Sequence, residues 1–421
     1  MSSILERSAS PIEIVHLAFT HFPADTRVKR EALAGVGLGG QVAVVSLCSP
    51  GQPAEEDIGA LRVIRLAGGK TRGGPLAYLS EYTAFVWRCR RLLARDPRFK
   101  NVRIVHVHTL PDFLVWAATP ARRRGARVIL DLHEVFPEFT AAKYHGLLGR
   151  AAAWLARWLE RDARRRADAT ITVNQPIEEL LASRGIGRAE RVLLVHNSAD
   201  PDDFGPPRQP ETASRSGRLE LVYHGTLTPL YGVDIAIRGV ALAAARGAPV
   251  HFTILGDGPE RHSLTRLAGD LRADLLVTFE APIPQRALRE RLARADAGIV
   301  PTRLNGMTRF SLSNKLLEYV HLGIPLLAAR LPSYERYLGE DAAWYWTPSD
   351  PEDLAQAIHR LATAPPEQRR EYALRAQRRL EVIAWPYERD RLVALYRDAL
   401  KGPWEVVPST AAIRRAAPPS P

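Results

Sequence analysis

The stretch "FSLSNKLLEYVHLGIPLLAAR" (residues 310–330) sets three polar residues, Asn314, Lys315 and Glu318, among apolar neighbours, directly before Gly-Ile-Pro and a second apolar run. Ser311 or Ser313 can cap a helix running to Leu322. Gly323 suits its left-handed terminator and Pro325 blocks continuation, so "PLLAA" (325–329) reads as the strand that follows. A helix N-terminus presents free N–H groups and partial positive charge, which attract a phosphate. Lys315 in the first turn adds a full charge, and Glu318 one turn later can accept two hydroxyl hydrogen bonds of a ribose. Together these residues suit a nucleoside diphosphate. The plainer alternative is an exposed i, i+3 Lys–Glu pair, worth only ~0.3 kcal/mol. Against it, lysine supplies just six of the 58 basic residues, so a compact ammonium stands where arginine is the habitual choice.

Outward from this helix–strand unit the pattern repeats. Apolar strand candidates run "IEIVHLA" (12–18), "QVAVVSL" (41–47), "VRIVHVH" (102–108), "ARVILDLH" (126–133), "ATITVN" (169–174) and "RVLLVHN" (191–197). A Pro-, Ser- and Asp-rich interval, "PDDFGPPRQPETASRSG" (201–217), reads as a linker. The strands resume with "LELVYHG" (219–225), "VHFTILGDG" (250–258), "LLVTFEA" (275–281) and "AGIVPT" (297–302). Helical spacers between near-continuous apolar strands predict α/β architecture with parallel sheets covered on both faces. Two doubly wound domains in series place ligands outside the carboxyl ends of their strands.

Composition narrows the function. A chain of 421 residues exceeds one core, and 46% hydrophobic with 25% charged residues reads as globular. No secretory h-region and no apolar run of spanning length is evident, so a cytoplasmic location is expected. Cys48 and Cys89 are the only cysteines, which excludes a disulfide framework or cysteine zinc site. The net charge of +12 invites anionic partners, but no zinc-finger, RRM or basic-zipper pattern accompanies it, so nucleic acid is not expected. His106 and His108 share a strand face, yet no third ligand follows at a metal-binding spacing.

The order "NKLLEYVHLGIPLLAAR", preceded by "ADAGIVPT" and "YHGTLTPLYGVDIAIRGVALA", resembles the carboxyl-terminal half of retaining glycosyltransferases of family 4. In the amino half, "HFPADTRVKREALAGVG", "VHVHTLPDFL", "LDLHEVFPEF" and "HNSADPDDF" agree with it, so the resemblance covers about residues 12–400. It implies the GT-B fold, two Rossmann-like doubly wound domains facing across a cleft. The domains implied are an acceptor domain over 1–200, the linker 201–217, a nucleotide-sugar domain over 218–385, a helix over 386–402 crossing back to the first domain, and a disordered tail over 403–421. The implied reaction moves a hexose from a UDP- or GDP-linked sugar to a hydroxyl of a cell-surface polysaccharide or lipid-linked glycan, with no cofactor and no metal. A GT-B nucleotide-sugar epimerase or hydrolase, with Asp131, Glu134 and Glu138 as its candidate carboxylates, and a degenerate nucleotide-binding membrane scaffold are the alternatives.

By this resemblance Glu318 binds the donor ribose, Gly225 and Thr226 face the diphosphate, Ser313 and Asn314 belong to the donor site, and Ile283 in "EAPIP" contacts the base. His133 lies beside the sugar and acceptor, at the carboxyl end of an apolar strand, with Asp25 and Glu134 on the acceptor side. Two departures stand out. Family members often carry Gly-Arg-Leu-x-x-x-Lys-Gly where this chain has Gly225-Thr226-Leu227-Thr228-Pro229-Leu230-Tyr231-Gly232, and Phe310 replaces the first glutamate of the Glu-x7-Glu pair. Lys315 with the helix amides, and Arg27 reaching across a closed cleft, are the expected replacements for the missing cations. The glycine turn in "ILGDGPE" (254–260) is by itself a weak phosphate signal.

One further stretch, "GLLGRAAAWLARWLERDARRR" (146–166), has apolar residues at 147, 148, 151, 154, 155, 158 and 159, with Arg150, Arg157, Arg161 and Arg164 largely off that stripe. Packing of Trp154 and Trp158 on the sheet is the plainer expectation. A basic helix lying on an anionic membrane, at the inner face of the plasma membrane, is the other.

Overall fold

The computed structural model describes residues 11–69, 75–143, 146–185, 191–211 and 217–402. The chain divides into two compact units, Met1–His196 with Pro386–Pro421, and Asn197–Trp385. Pro201–Phe204, inside the expected linker, is a helical turn of the second unit: Asp200 caps it by accepting from the Asp202 N–H, and Phe204 is buried. Residues 212–216 and the tail 403–421 lie outside the described residues.

In the first unit the strands are β1 (Ile12–His21), β2 (Gln41–Leu47), β3 (Glu55–Ile58), β4 (Leu61–Leu66), β5 (Ile104–His108), β6 (Arg127–Leu132), β7 (Ala169–Thr172) and β8 (Val192–Leu194). They form one sheet in the order β3-β4-β2-β1-β5-β6-β7-β8, in which only β3 is antiparallel to its neighbour. The strand order turns about β1, whose register pairs His16 with His106 and Ala18 with His108. Helix α1 (Thr26–Gly35) starts at Asp25, whose carboxylate accepts from the Val28 N–H at 3.2 Å and so satisfies one orphan donor of the first turn. The helix Trp385–Lys401 closes the unit. Its Glu388 accepts from the His196 backbone N–H (3.1 Å) and pairs with that ring (3.0 Å), and its Tyr396 hydroxyl meets His106 Nδ1 at 2.6 Å.

Two long helices of this unit, α2 (Pro75–Arg95) and α3 (Gly146–Arg166), both pack on the 3₁₀ segment Asp112–Ala118. For α3 the expected packing is reversed. Ala153, Ala156 and Ala163 are buried, whereas Trp154 is 68% and Trp158 48% exposed. Small side chains let the helix lie close to its neighbours, and the bulky ones are left outside.

The second unit holds β9 (Leu219–His224), β10 (Val250–Leu255), β11 (Val277–Glu280), β12 (Ala297–Val300), β13 (Leu326–Ala329) and β14 (Trp344–Trp346), all parallel, in the order β11-β10-β9-β12-β13-β14. Neighbouring residues of β9 feed opposite cores: Leu221 and Tyr223 join one apolar cluster and Val222 the other. That alternation is why these strands carry apolar residues at nearly every position. Helix α4 (Asn314–His321) buries Leu316, Leu317, Tyr319 and Val320 and ends before Gly323, which has φ +66°. Its Tyr319 ring lies so close to β12 that a Cβ at Gly298 would stand 2.4 Å from it, and its hydroxyl donates to the Val222 carbonyl at 3.1 Å. The helix is thereby fixed to both central strands, β9 and β12.

Candidate active site

In the second unit the carboxyl end of β9 gives way to Gly225, whose φ is +121°. A Cβ there would meet Lys315 Cε at 2.6 Å, so glycine serves both the left-handed turn and the passage of the lysine. The Lys315 ammonium lies 4.0 Å from the centre of the Tyr231 ring and 5.3 Å from that of Tyr223, within cation–π range. No carboxylate forms an ion pair with it among the described residues. Burial pushes its pKa down to about 8, against the opposing pull of Glu318.

Helix α4 begins at Ser313, in extended conformation, whose hydroxyl makes no capping bond to the helix. The first intrahelical bond runs from the Leu317 N–H to the Ser313 carbonyl (3.2 Å), so the amides of Asn314, Lys315 and Leu316 precede it. Glu318 follows one turn later. Its Oε2 comes within 3.0 Å of His224 Nε2 without the alignment of a hydrogen bond, and both atoms are otherwise buried without a partner. Ile283 is half-buried beside the second apolar cluster, and Thr226 and Asn314 are exposed.

The glycine turn after β10 has a structural cause. A Cβ at Gly256 would stand 2.0 Å from the Gly225 carbonyl oxygen, so this glycine lets the two loops at the strand ends touch. Arg303 fixes the turn that carries Tyr231: its Nε donates to the Pro229 carbonyl (3.0 Å) and its guanidinium pairs with Asp234 (2.6 Å). Tyr231 is the residue that sequence reasoning passed over. It stands where the family motif has lysine, and the substitution reads as a loss until the ring is seen beneath Lys315.

In the first unit β6 delivers Asp131, fully buried, followed by His133. Asp131 accepts from Arg27 Nε (2.8 Å) and Nη2 (2.7 Å), from His108 Nδ1 (3.0 Å) and from His133 Nδ1 (3.2 Å). Burial would lower the pKa of His133, but the Asp131 carboxylate overrides it and holds the imidazole up at about 9. Despite burial, the same partners, Arg27 first, keep Asp131 well below the usual carboxylate range. The His133 side chain is 22% exposed. With Nδ1 turned to Asp131, Nε2 is the nitrogen left for a ligand.

Arg27 departs from its expected role. It is 7% exposed, bound to Asp131, to Glu31 (2.9 Å) and to the Val195 carbonyl (3.0 Å). Withdrawing it toward a donor phosphate would strand two buried carboxylates, a cost of about 3–5 kcal/mol. Asp25 caps α1, while Glu134 is exposed. Glu138 is engaged by Arg184.

Around Asp131 the strand register gathers more polar groups than the sequence displays. His106 and His108 stack at 4.5 Å, and His16 lies 4.9 Å from His106 with its Nδ1 3.0 Å from His108 Nε2. Burial, with neighbouring histidines adding to it, drives His16 and His106 well below their ordinary pKa, so both rings are neutral. One ligand atom each from Glu31, His106, His108 and Asp131 lies within 4.8 Å of the others, a spacing open to a cation. Arg27 already supplies positive charge to both carboxylates. Burial raises Glu31 to about 7, Arg27 opposing. Asp112, in the "LPDFL" segment, was also passed over. It is 2% exposed, neither carboxyl oxygen has a hydrogen-bond partner, and burial with Glu160 nearby pushes it up to about 8.

Residues 24–198 match the family model described as a glycosyl transferase 4-like domain, and residues 218–364 match that of glycosyl transferases group 1. The chain is 28% identical over 246 residues to a GDP-mannose-dependent alpha-(1-6)-phosphatidylinositol monomannoside mannosyltransferase of Mycolicibacterium smegmatis, covering 54% of this chain and 60% of that protein. It is 25% identical to an alpha-D-kanosaminyltransferase of Streptomyces kanamyceticus, over 58% of this chain and 64% of that one. It thus spans less than two thirds of the length of either relative. In fold it is similar to sucrose-phosphate synthase of Thermosynechococcus elongatus, with TM-score 0.73 at 18% identity over 92% of this chain and 99% of the other. It is also similar to Anabaena HepE in complex with UDP-glucose, with TM-score 0.68 at 16% identity over 91% and 99%. With two parallel-sheet α/β units, a lysine-bearing helix N-terminus beside β9 and both family models matched in order, the chain belongs to the family 4 glycosyltransferases of GT-B fold.

Proposed function

We propose that the protein is a retaining hexosyltransferase that uses a UDP- or GDP-linked sugar. The second unit holds the donor, and the first unit holds a hydroxyl acceptor on a cell-surface polysaccharide or lipid-linked glycan. The observation that carries this reading is Lys315: a desolvated ammonium with no ion pair among the described residues, at a helix N-terminus, one turn before a carboxylate with a buried oxygen that makes no hydrogen bond. Relatives named for GDP-mannose and for a phosphatidylinositol mannoside, and a solved neighbour bound to UDP-glucose, support the donor and acceptor classes.

In the reaction the bond from the anomeric carbon to the diphosphate oxygen breaks, and a bond to the acceptor oxygen forms on the same face of the sugar. The acceptor proton passes to the departing diphosphate. Lys315 and the amides of Asn314 to Leu316 meet the growing negative charge, where fixed donors act most strongly. Glu318 takes the ribose hydroxyls. His133, protonated at neutral pH, donates from Nε2 to the sugar or orients the acceptor, which makes it a poor general base. The diphosphate charge is met by these groups, with no metal or other cofactor required.

Nucleotide release from a panel of UDP- and GDP-sugars, with and without a membrane extract as acceptor source and with chelator present, tests the reading. Acceptor-stimulated release from one donor, giving product with the donor's anomeric configuration, is expected. Release that ignores acceptor would favour a hydrolase or epimerase. Nucleotide binding without release from any donor, acceptor present, would favour a degenerate scaffold.

A further inference from the structure

At 100° per residue, positions 150, 154, 157, 158, 161 and 165 of α3 fall within roughly a third of the helix circumference. All six side chains, Arg150, Trp154, Arg157, Trp158, Arg161 and Arg165, are exposed, and none of the four arginines forms an ion pair among the described residues. The acidic residues of the helix do not offset them. Glu160 is buried and bonded by Arg184, while Asp162 is held by Arg166 (2.7 Å) and by the Trp116 indole N–H (2.6 Å). The opposite face is filled by alanines, so the tryptophans have no room inside the fold.

Two large aromatics at this exposure are costly in water and call for an occupant. Alternation of indole and guanidinium on one face matches the headgroup region of a bilayer, where an amphipathic ring and a long cationic side chain each have one end apolar and one wet. A second helix of the unit also exposes a tryptophan. On α2, which packs on the same 3₁₀ segment, Trp87 is 58% exposed with Arg91 over its ring at 5.5 Å. Arg90 of α2 and Asp162 of α3 both bond Trp116, which ties the two helices together.

We infer that the exposed Trp–Arg face of α3 is a docking surface for an anionic phospholipid bilayer. No helix among the described residues is long and apolar enough to cross a membrane, so the attachment is to its surface. The surface does not depend on the transferase reading, and its test uses no sugar donor.

The full chain is mixed with vesicles of phosphatidylglycerol and phosphatidylcholine in equal parts, or of phosphatidylcholine alone, and bound protein is separated by flotation at low and high salt. Binding to the anionic vesicles only, weakened by salt, is expected. With about 1 kcal/mol per arginine near the surface, Arg157→Gln with Arg161→Gln should lower partition about 30-fold. Trp154→Ala with Trp158→Ala should lower it about tenfold or more. These side chains face solvent, so the melting temperature should not move. No binding of wild type to anionic vesicles, or binding that both double variants retain in full, would overturn the proposal. So would a dimer in lipid-free solution that only the tryptophan variant loses, since the face would then serve a second copy of the chain.

Discussion

Replacing Lys315 by methionine should make the protein more stable and less active at once. Burial lowers the lysine from its ordinary 10.5 to about 8. Holding the ammonium in these surroundings at neutral pH therefore costs at most about 3 kcal/mol. Contact with the Tyr231 ring returns about 1–2 kcal/mol, which methionine only partly keeps. The net gain for Lys315→Met at pH 7 is about 1–2 kcal/mol, or roughly 2–8 °C in Tm for a unit of this size. Between pH 8 and 10.5 the unfolded lysine binds a proton that the folded one has shed, so wild-type stability rises through that window. The advantage of the variant should shrink there. Turnover should fall by about 10²–10³, the cost of losing one oxyanion donor. Calorimetry at pH 7 and near pH 10 and nucleotide release at saturating donor measure the two effects. A variant that melts no higher than wild type at pH 7, or that keeps wild-type turnover, would refute the reasoning.

Tyr231→Lys restores the family residue yet should reduce activity. A second ammonium about 4 Å from the first repels it by up to ~4 kcal/mol at an effective dielectric of 20, and the pH above which kcat/KM falls should move below 8. With Lys315 setting a first fall in kcat/KM near pH 8, His133, raised to about 9, should add a second, steeper fall above 9. Its pairing with Asp131 stabilises the fold fully below about pH 6.5 and loses that effect as pH rises through 9, so His133→Gln should remove that second fall and flatten the stability profile. Asp112, protonated in the fold up to about 8, makes the native state lose stability as pH rises from about 4 to 8. Asp112→Asn should therefore raise Tm more at pH 8 than at pH 5. Gly298→Ala drives a methyl into the Tyr319 ring and should destabilise the second unit by about 1–3 kcal/mol in urea unfolding.

The parallel strands were legible because burial on both faces leaves continuous apolar runs. "QVAVVSL" and β2 coincide residue for residue. The strands that escaped notice lack that signature: β3 is the charged edge segment "EEDI", β4, "LRVIRL", breaks its apolar residues with Arg62 and Arg65, and β14 is three residues, "WYW". The orientation of α3 was misjudged because periodicity marks a stripe without saying whether Trp or Ala faces inward, and here close packing favours the small residue. The histidine group around Asp131 could not be seen from spacing, since His16 meets His106 only through the strand order β2-β1-β5.

The helix that carries Lys315 and Glu318 was legible for a different reason: ammonium and carboxylate are local, so one turn displays both, although the expected serine cap makes no bond to the helix. What the chain does about its missing motif cations is not local. Tyr231 lies at the motif position of the lysine, eighty-four residues before Lys315, and the two converge because β9 and α4 meet at Gly225 and Tyr319. A ring in that position could not carry the charge itself, but it can hold another residue's ammonium out of water without neutralising it, as an anionic partner would. A carboxylate in its place would anchor Lys315 more tightly and leave it less charge for a diphosphate. On the proposed reading the substitution moves a cation from the turn to the helix, and the aromatic ring is what keeps that cation available.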